Sequence, residues 1–138
     1  MAETLVQLVL ALVLGGLLGI ERRLYGRWAD VRTHMMVAMG AAMFMAVGKH
    51  VAPGSDDITR VVQGIAAGVG FLGAGTILKL SDQLEVKGLT TASSIWLSAG
   101  VGTAAGCGAY GLALGATVIS VAVLVVLRPL EKKLERRD

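Results

Sequence analysis

Forty consecutive residues, 88–127, carry no charged side chain, and the run is bounded by Lys87 and Arg128. At about 1.5 Å per residue, one helix of that length would be about 60 Å long, roughly twice the hydrocarbon thickness of a bilayer. The run therefore predicts two membrane-spanning helices that fold back on each other. We expect the bend at residues 106–108, where two glycines flank Cys107 and lower the cost of leaving helical geometry.

The composition is that of a membrane protein rather than a water-soluble domain. Hydrophobic residues make up 54% of the 138 residues and charged residues only 17%, and the 19 glycines suit close helix packing in lipid. The formal net charge of +3 is too small to indicate a nucleic-acid-binding protein. We therefore expect a lipid bilayer as the environment of the chain and no nucleic acid among its partners.

Hydrophobic segments predict an all-α membrane protein with five transmembrane helices in a glycine-rich bundle. The second segment is short and needs an extension into residues 32–33 or a locally thinned bilayer. Residues 128–138 combine a leucine stripe with many charges and predict a cytoplasmic amphipathic tail, with a frayed charged tail as the alternative. The predicted spans within the transmembrane domain 1–127 are residues 4–20, 34–48, 61–78, 89–106 and 109–127.

Basic residues indicate the orientation of this bundle. Eleven of the thirteen lysines and arginines fall after the first, third and fifth spans, whereas only Lys49 and Arg60 fall on the other side. Because cytoplasmic loops are enriched in lysine and arginine, the N-terminus is predicted outside and the C-terminus in the cytoplasm.

Two helix–loop–helix units of the sequence look alike. Residues 15–33 and residues 70–91 each contain a glycine-rich helix end and an acidic–valine–basic triplet, at 30–32 and 85–87, followed by threonine. Units of the same orientation would form a parallel two-helix repeat with the fifth helix as an addition. Chance similarity is the alternative, because small residues and flanking charges recur in membrane proteins.

Glycines four residues apart form the densest pattern in the chain. Such pairs let a neighbouring backbone approach closely, which favours helix packing. For residues 68–75 the alternative is an irregular helix that exposes carbonyl groups to an ion or water path. The glycines predicted to pack helices are Gly15, Gly19, Gly64, Gly68, Gly70, Gly73, Gly75, Gly102, Gly106, Gly111 and Gly115.

Polar side chains gather at the predicted cytoplasmic helix ends and along the fourth helix. The hydroxyls of the fourth helix recur at helical spacing, and they can bond back to their own helix, cross to a neighbour or line a hydrated cavity. The predicted functional cluster consists of Glu21, Arg22, Asp30, Arg32, Thr33, His34, Lys87, Thr90, Thr91, Ser94 and Ser98.

Two interpretations of the acids in this cluster remain open. Glu21 can pair with Arg32 or Lys87 and lock the helix ends together, or Glu21 and Asp30 can offer oxygens to Mg²⁺. His34 is expected to be hydrogen-bonded, with pH sensing as the alternative. With two histidines, one cysteine and no metal-ligand spacing, the sequence predicts neither an enzyme nor a bound cofactor.

Four phrases of the sequence resemble the MgtC/SapB family. They are ERR at 21–23, RTH at 32–34, GFLGAGTIL at 70–78 and VKGLTTA at 86–92, in the order and spacing of the family over roughly residues 10–125. The resemblance implies a five-helix domain of the bacterial inner membrane that is tied to adaptation to scarce magnesium.

The sequence departs from the family pattern in two respects. Asp30 stands where the family usually has a small residue, and Val31 replaces the leucine of a leucine–arginine–threonine–histidine phrase, so a metal site there would be particular to this chain. Many members continue into a soluble cytoplasmic domain that resembles small-ligand-sensing modules. This sequence is then either a short member or a truncated form, and a regulatory role of that domain is not carried over.

These observations predict a membrane-embedded regulator rather than an enzyme. It is expected to form homo-oligomers, with a dimer favoured, and to contact other membrane proteins during magnesium stress. The alternative is a transporter or channel for Mg²⁺ or another small solute, which the repeat, the glycines of the third helix and the hydroxyls of the fourth would support.

Overall fold

The structure, a computed structural model, describes residues 1–24, 31–51, 54–79, 86–129 and 133. Within these ranges a pair of two-residue antiparallel strands, β1 (Leu78–Lys79) and β2 (Val86–Lys87), connects the third and fourth helices. The prediction of five helices is confirmed. The helices are α1 (Ala2–Leu24), α2 (Val31–Val51), α3 (Ser55–Ala74), α4 (Leu89–Cys107) and α5 (Tyr110–Val126).

Among the described residues, α1 and α2 are each long and apolar enough to cross a membrane, and α5 is a shorter apolar helix. The helix α2 runs over 21 residues, which corresponds to about 31 Å at 1.5 Å per residue. It includes residues 32–33, the extension that the short predicted span 34–48 requires.

The helix α3 begins six residues before the predicted span 61–78. Its first turn contains Asp56 and Asp57, whose negative charges interact favourably with the amino-terminal end of a helix. The apolar run can begin only after these charged side chains, but the side chains do not interrupt the backbone hydrogen bonds of the helix. A helix can therefore begin well before the segment that is apolar enough to enter lipid.

The same helix ends at Ala74, four residues before the predicted end, because the chain turns back there. The Thr76 hydroxyl and the Thr76 backbone N–H both donate to the Gly73 carbonyl, at 2.7 and 3.0 Å. Gly88 has a φ of 99°, and a Cβ at this position would lie 2.0 Å from the Thr76 carbonyl oxygen. Glycine is required there for both reasons, and residues 75–79 form a turn and a strand instead of a helix.

The uncharged run 88–127 folds into α4 and α5, with the turn at Gly108. This glycine has a φ of 83°, and its N–H donates to the Ala105 carbonyl at 3.0 Å while the next N–H donates to the Ala104 carbonyl at 2.9 Å. A left-handed glycine with such bonds is a common way to end a helix.

The helix α4 lies at the centre of the bundle and contacts the other four helices. Its buried face consists mainly of small residues, and larger apolar side chains such as Leu18 and Met45 fill the space around it. We call one end of the bundle the inner end: α1 ends there, and α2 and α4 begin there. The opposite end is the outer end. The direction of the bundle in the membrane and the internal repeat stay predictions.

Candidate functional site

The inner end of α1 carries a buried ion pair. Glu21 is 6% exposed and Arg22 is 3% exposed, and the Arg22 guanidinium donates to the Glu21 carboxylate at 3.3 Å. Because both charges are withdrawn from water, removing one would leave the other uncompensated, which costs roughly 3–5 kcal/mol in buried pairs. The sequence predicted Arg32 or Lys87 as the cation. Among the described side chains the partner of Glu21 is Arg22 rather than Arg32. A pairing with Lys87, whose side chain lies outside the described part, stays a prediction.

A second buried polar contact joins α2 to α4. His34 is fully buried, and its Nε2 lies 3.0 Å from the Ser94 hydroxyl oxygen. That hydroxyl donates its single proton to the Thr91 carbonyl at 2.8 Å. While the hydroxyl makes that bond, it accepts at His34 when Nε2 carries the ring hydrogen. The contact holds His34 in one orientation and links the inner ends of the two helices.

Five other hydroxyls of α4 and α5 bond to the backbone of their own helix. Ser98 donates to the Ser94 carbonyl at 3.0 Å, and Thr103 donates to the Ala99 carbonyl at 2.8 Å. Of the alternatives open for these side chains, bonding back to the helix is the one that the structure contains. The same pattern holds for Ser93, Thr117 and Ser120.

Towards the outer end, the backbones of α2 and α4 touch. A Cβ on Gly102 would lie 2.0 Å from the Ala38 carbonyl oxygen, and a Cβ on Gly106 would lie 2.8 Å from the Ala42 Cα. We name this contact the α2–α4 seam. It leaves no space for a polar path between these two helices beyond Ser98.

At the outer end, Lys49 of α2 reaches the end of α4. Its Nζ donates to the Gly106 carbonyl at 2.9 Å. The last carbonyls of a helix have no partner within the helix and carry partial negative charge, so a cation is favoured there. This role of Lys49 could not be predicted from the sequence, because the contact joins residues 57 apart in the chain and no local sequence pattern indicates it.

The structure brings together only part of the predicted polar cluster. Arg32 and Thr90 are exposed, and Thr33 is half-buried. Lys87 lies in β2, and Asp30 lies outside the described residues. The buried members are Glu21, Arg22, His34, Thr91, Ser94 and Ser98.

The predicted Mg²⁺ ligands were Glu21 and Asp30. Because Asp30 falls outside the described residues, their joint action stays a prediction. Within the described ranges, no group of three or more histidine, cysteine, aspartate or glutamate side chains is placed to hold a metal ion. The Glu21 carboxylate lies beside the Arg22 guanidinium, which already supplies a positive charge.

The glycines predicted to pack helices fall into three groups. Gly15, Gly102 and Gly106 lie so close to α2 that a Cβ would come within 3.0 Å of a neighbouring atom, and Gly19 is buried in α1. Gly73 and Gly75 leave room for ordinary contact, with the nearest atom 3.4 Å from a Cβ. A Cβ would meet no atom within 4 Å at Gly64, Gly68, Gly70, Gly111 and Gly115.

An apolar groove of about 940 Å³ lies between α2 and α3. Gly40 and Phe44 of α2 form part of one wall, and Gly64, Gly68 and Leu72 of α3 form part of the other. The two helices therefore stand apart along this side, in contrast to the closed α2–α4 seam.

Known proteins resemble the chain along almost its whole length. A model of the MgtC family matches residues 8–133. The protein MgtC of Brucella abortus (strain 2308) is 44% identical over 135 residues, which are 98% of this chain and 56% of that protein. The protein SrpB of Synechococcus elongatus is 40% identical over 137 residues, covering 91% of this chain and 75% of SrpB.

A further relative is the putative magnesium transporter YhiD of Escherichia coli (strain K12), 35% identical over 147 residues, with 99% of this chain and 66% of YhiD covered. No solved structure matches the chain. The chain spans little more than half the length of the Brucella relative, because the matched residues make up 56% of that protein. The family model and these relatives agree with the phrases of the sequence, and the chain belongs to the MgtC family.

Proposed function

We propose that the chain is a multi-pass protein of the bacterial inner membrane that helps cells adapt to scarce magnesium by binding and regulating other membrane proteins. Membership of the MgtC family supports the connection with magnesium, and a relative bears the name of a putative magnesium transporter. The apolar helices α1, α2 and α5 support the location in a membrane.

The observation that carries the regulatory role is the closed α2–α4 seam. A pathway for a hydrated ion needs polar groups or water along the whole thickness of the membrane. In the described part of the chain, the buried polar residues of the inner end reach Ser98, and Gly102 then lies against the Ala38 backbone. The hydroxyls further along, those of Thr103 and Thr117, donate their protons to carbonyls of their own helices.

The exposed surface of α5 is suited to contact with another membrane helix. Leu112, Val118 and Ile119 are 67%, 67% and 66% exposed, so this helix presents large aliphatic side chains to lipid or to a second protein. The buried ion pair and the His34–Ser94 contact keep the inner end rigid while such a surface is used.

Photocrosslinking in the membranes of magnesium-starved cells tests this role. A photoreactive residue at Val118 on α5 should yield an adduct with the same membrane protein in repeated trials, and the yield should fall when magnesium is restored. A matched probe at the buried Thr117 should yield none. Adducts that contain only copies of the chain itself, with or without magnesium, would argue strongly against the regulatory role.

A transporter for Mg²⁺ is the second candidate, which the buried polar cluster at the inner end favours. An ionisable pair such as Glu21 and Arg22 inside a membrane protein often marks an ion path. Water accessibility of single cysteines at Ser94 and Ser98, in a Cys107→Ala background, separates the two candidates. The regulator predicts that both sites resist water-soluble thiol reagents, because these residues are 4% and 0% exposed. Rapid labelling at both sites would favour a transporter.

A further inference from the structure

The groove between α2 and α3 has a polar side chain at one end only. Among the lining residues that the structure describes, Thr33 alone is polar, and it lies at the inner end. From there to Val51 at the outer end, apolar side chains and glycines form the lining. An occupant that matches this lining therefore has one polar end, at Thr33, and a long apolar part.

Glycines make the middle of the groove wide. A Cβ on Gly40 of α2, or on Gly64 or Gly68 of α3, would meet no atom within 4 Å, so both helices leave space there. At the outer end the two helices touch, because a Cβ on Gly48 would lie 2.8 Å from Cγ2 of Val61. The groove is thus open along its middle and narrows towards the outer end.

This shape suits a flexible acyl chain better than another helix. A membrane-spanning helix is about 10 Å across and needs a partner surface through both leaflets, whereas the groove narrows in one of them. From Thr33 to Gly48 the helix α2 rises by about 22 Å, more than the ~15 Å of hydrocarbon in one leaflet of a bilayer. An acyl chain from the leaflet at the inner end can therefore lie in the groove along its full length.

The charges near the two ends of the groove indicate the sign of the polar part. Arg32, next to Thr33 in α2, is exposed and carries a positive charge at the inner end. At the outer end, the two exposed aspartates of the first turn of α3 offset the charge of the exposed Arg60, and Lys49 donates to the Gly106 carbonyl. A negative head group is therefore favoured at the inner end.

We propose that the groove between α2 and α3 binds an acyl chain of an anionic phospholipid from the leaflet at the inner end, with the phosphate beside Arg32 and Thr33. A guanidinium supplies a positive charge and hydrogen-bond donors in a geometry that matches phosphate. The apolar lining surrounds the chain, and the glycines leave room for it. A basic side chain at the head-group level raises affinity for anionic lipid about fivefold.

This inference goes beyond the proposed regulatory role and does not depend on it. A regulator and a transporter can both hold a lipid, and the crosslinking test of regulation uses α5 rather than the groove. A failed lipid test would therefore leave the regulatory role standing, and the reverse also holds.

Quenching of tryptophan fluorescence by brominated lipids tests the site. The full chain with Phe44→Trp, Trp28→Phe and Trp96→Phe carries one tryptophan, in the wall of the groove. It is reconstituted in phosphatidylcholine vesicles that contain anionic phosphatidylglycerol, and either one lipid or the other is brominated on its acyl chains. Quenching at position 44 should show a preference for phosphatidylglycerol of roughly fivefold, and Arg32→Gln should remove this preference.

A tryptophan outside the groove is the matched control for the reporter. Trp28→Phe alone keeps Trp96, which is 53% exposed on α4, and the two lipids should quench it equally. Gly64→Leu fills the groove and should lower quenching at position 44 by both lipids. Gly111→Leu on α5 should leave that quenching unchanged, although a Cβ at either glycine meets no atom within 4 Å.

Three results would overturn the proposal. A preference for phosphatidylglycerol that is absent at position 44, equally strong at Trp96 or unchanged by Arg32→Gln would show that the groove selects no anionic lipid. Quenching that Gly64→Leu leaves unchanged would place the lipid elsewhere. A tryptophan at position 44 that neither lipid quenches would show that a protein helix occupies the groove.

Discussion

Replacing Gly102 with alanine adds one methyl group inside the α2–α4 seam, where the structure leaves no room for it. The new Cβ would lie 2.0 Å from the Ala38 carbonyl oxygen, about 1.4 Å less than the 3.4 Å at which ordinary contact begins. The nearest atoms belong to the backbone of α2 and cannot rotate away. The two helices must therefore separate.

The expected loss of stability follows from two effects of this separation. Forcing an extra methyl group into a packed interior costs roughly 1–3 kcal/mol. The His34–Ser94 hydrogen bond, now 3.0 Å long, lies in the same helix pair and would be stretched, and losing it costs about 1 kcal/mol more. We expect Gly102→Ala to lower the free energy of unfolding by ~2–4 kcal/mol.

Gly100→Ala on the same helix is the matched control. A Cβ there meets no atom within 4 Å, and alanine favours helix over glycine by about 1 kcal/mol in exposed helix interiors. Reversible unfolding in mixed micelles, followed by circular dichroism as the fraction of denaturing detergent rises, measures both variants. Gly102→Ala should unfold at a clearly lower fraction than the wild type, and Gly100→Ala at an equal or higher one. Coincident transitions for the two variants would refute the closed seam.

Four further substitutions test other contacts of the bundle. His34→Ala and Ser94→Ala should each cost about 1–3 kcal/mol, and the double variant should cost less than the sum, because the first change already removes the shared hydrogen bond. Lys49→Met should lower stability by about 0.3–1 kcal/mol and speed amide hydrogen exchange at the carboxyl end of α4, which loses its cation. Gly88→Ala should destabilise the β1–β2 turn by ~1–3 kcal/mol, since φ is positive there, and increase protease cleavage between α3 and α4.

Three control substitutions lie in exposed positions. Ser93→Ala removes a hydroxyl that bonds only to its own helix, so it should leave His34 unaffected. His50→Met and Gly111→Ala change exposed positions, adjacent to Lys49 and on α5 respectively. The His34–Ser94 contact would be contradicted if the stability losses of His34→Ala and Ser94→Ala simply added in the double variant. The other contacts would be contradicted if the control variants lost as much stability as the test variants.

The helices of this fold could be predicted because apolar runs and their lengths determine them. The run 88–127 is too long for one span, and glycines mark the point where it bends, so α4 and α5 follow from the sequence. The bounds of α3 could not be predicted in the same way. The helix begins with charged residues, which lie outside the hydrophobic segment that the sequence shows. Its end depends on the close approach of Gly88 to Thr76, a contact across the connecting segment.

The candidate site could be predicted only as a set of residue types at the inner ends of the helices. The pairing of Glu21 with Arg22 was missed because adjacent positions on a helix point in different directions, and burial decides which cation is near. The pairing of His34 with Ser94 joins residues 60 apart in the chain, so it depends on how α2 and α4 pack. The sequence likewise contains no sign that Gly102 lies in a closed seam while Gly64 lines the groove between α2 and α3.

Magnesium uptake into liposomes is the measurement that tests the account most directly. The folded and inserted protein is reconstituted with a Mg²⁺-sensitive dye inside the liposomes, and the wild type is compared with Glu21→Gln and with protein-free liposomes. The closed seam and the regulatory role predict uptake no faster than in protein-free liposomes for both proteins. Uptake by the wild type above that background, abolished by Glu21→Gln, would contradict the account and make the chain a transporter with Glu21 in its path.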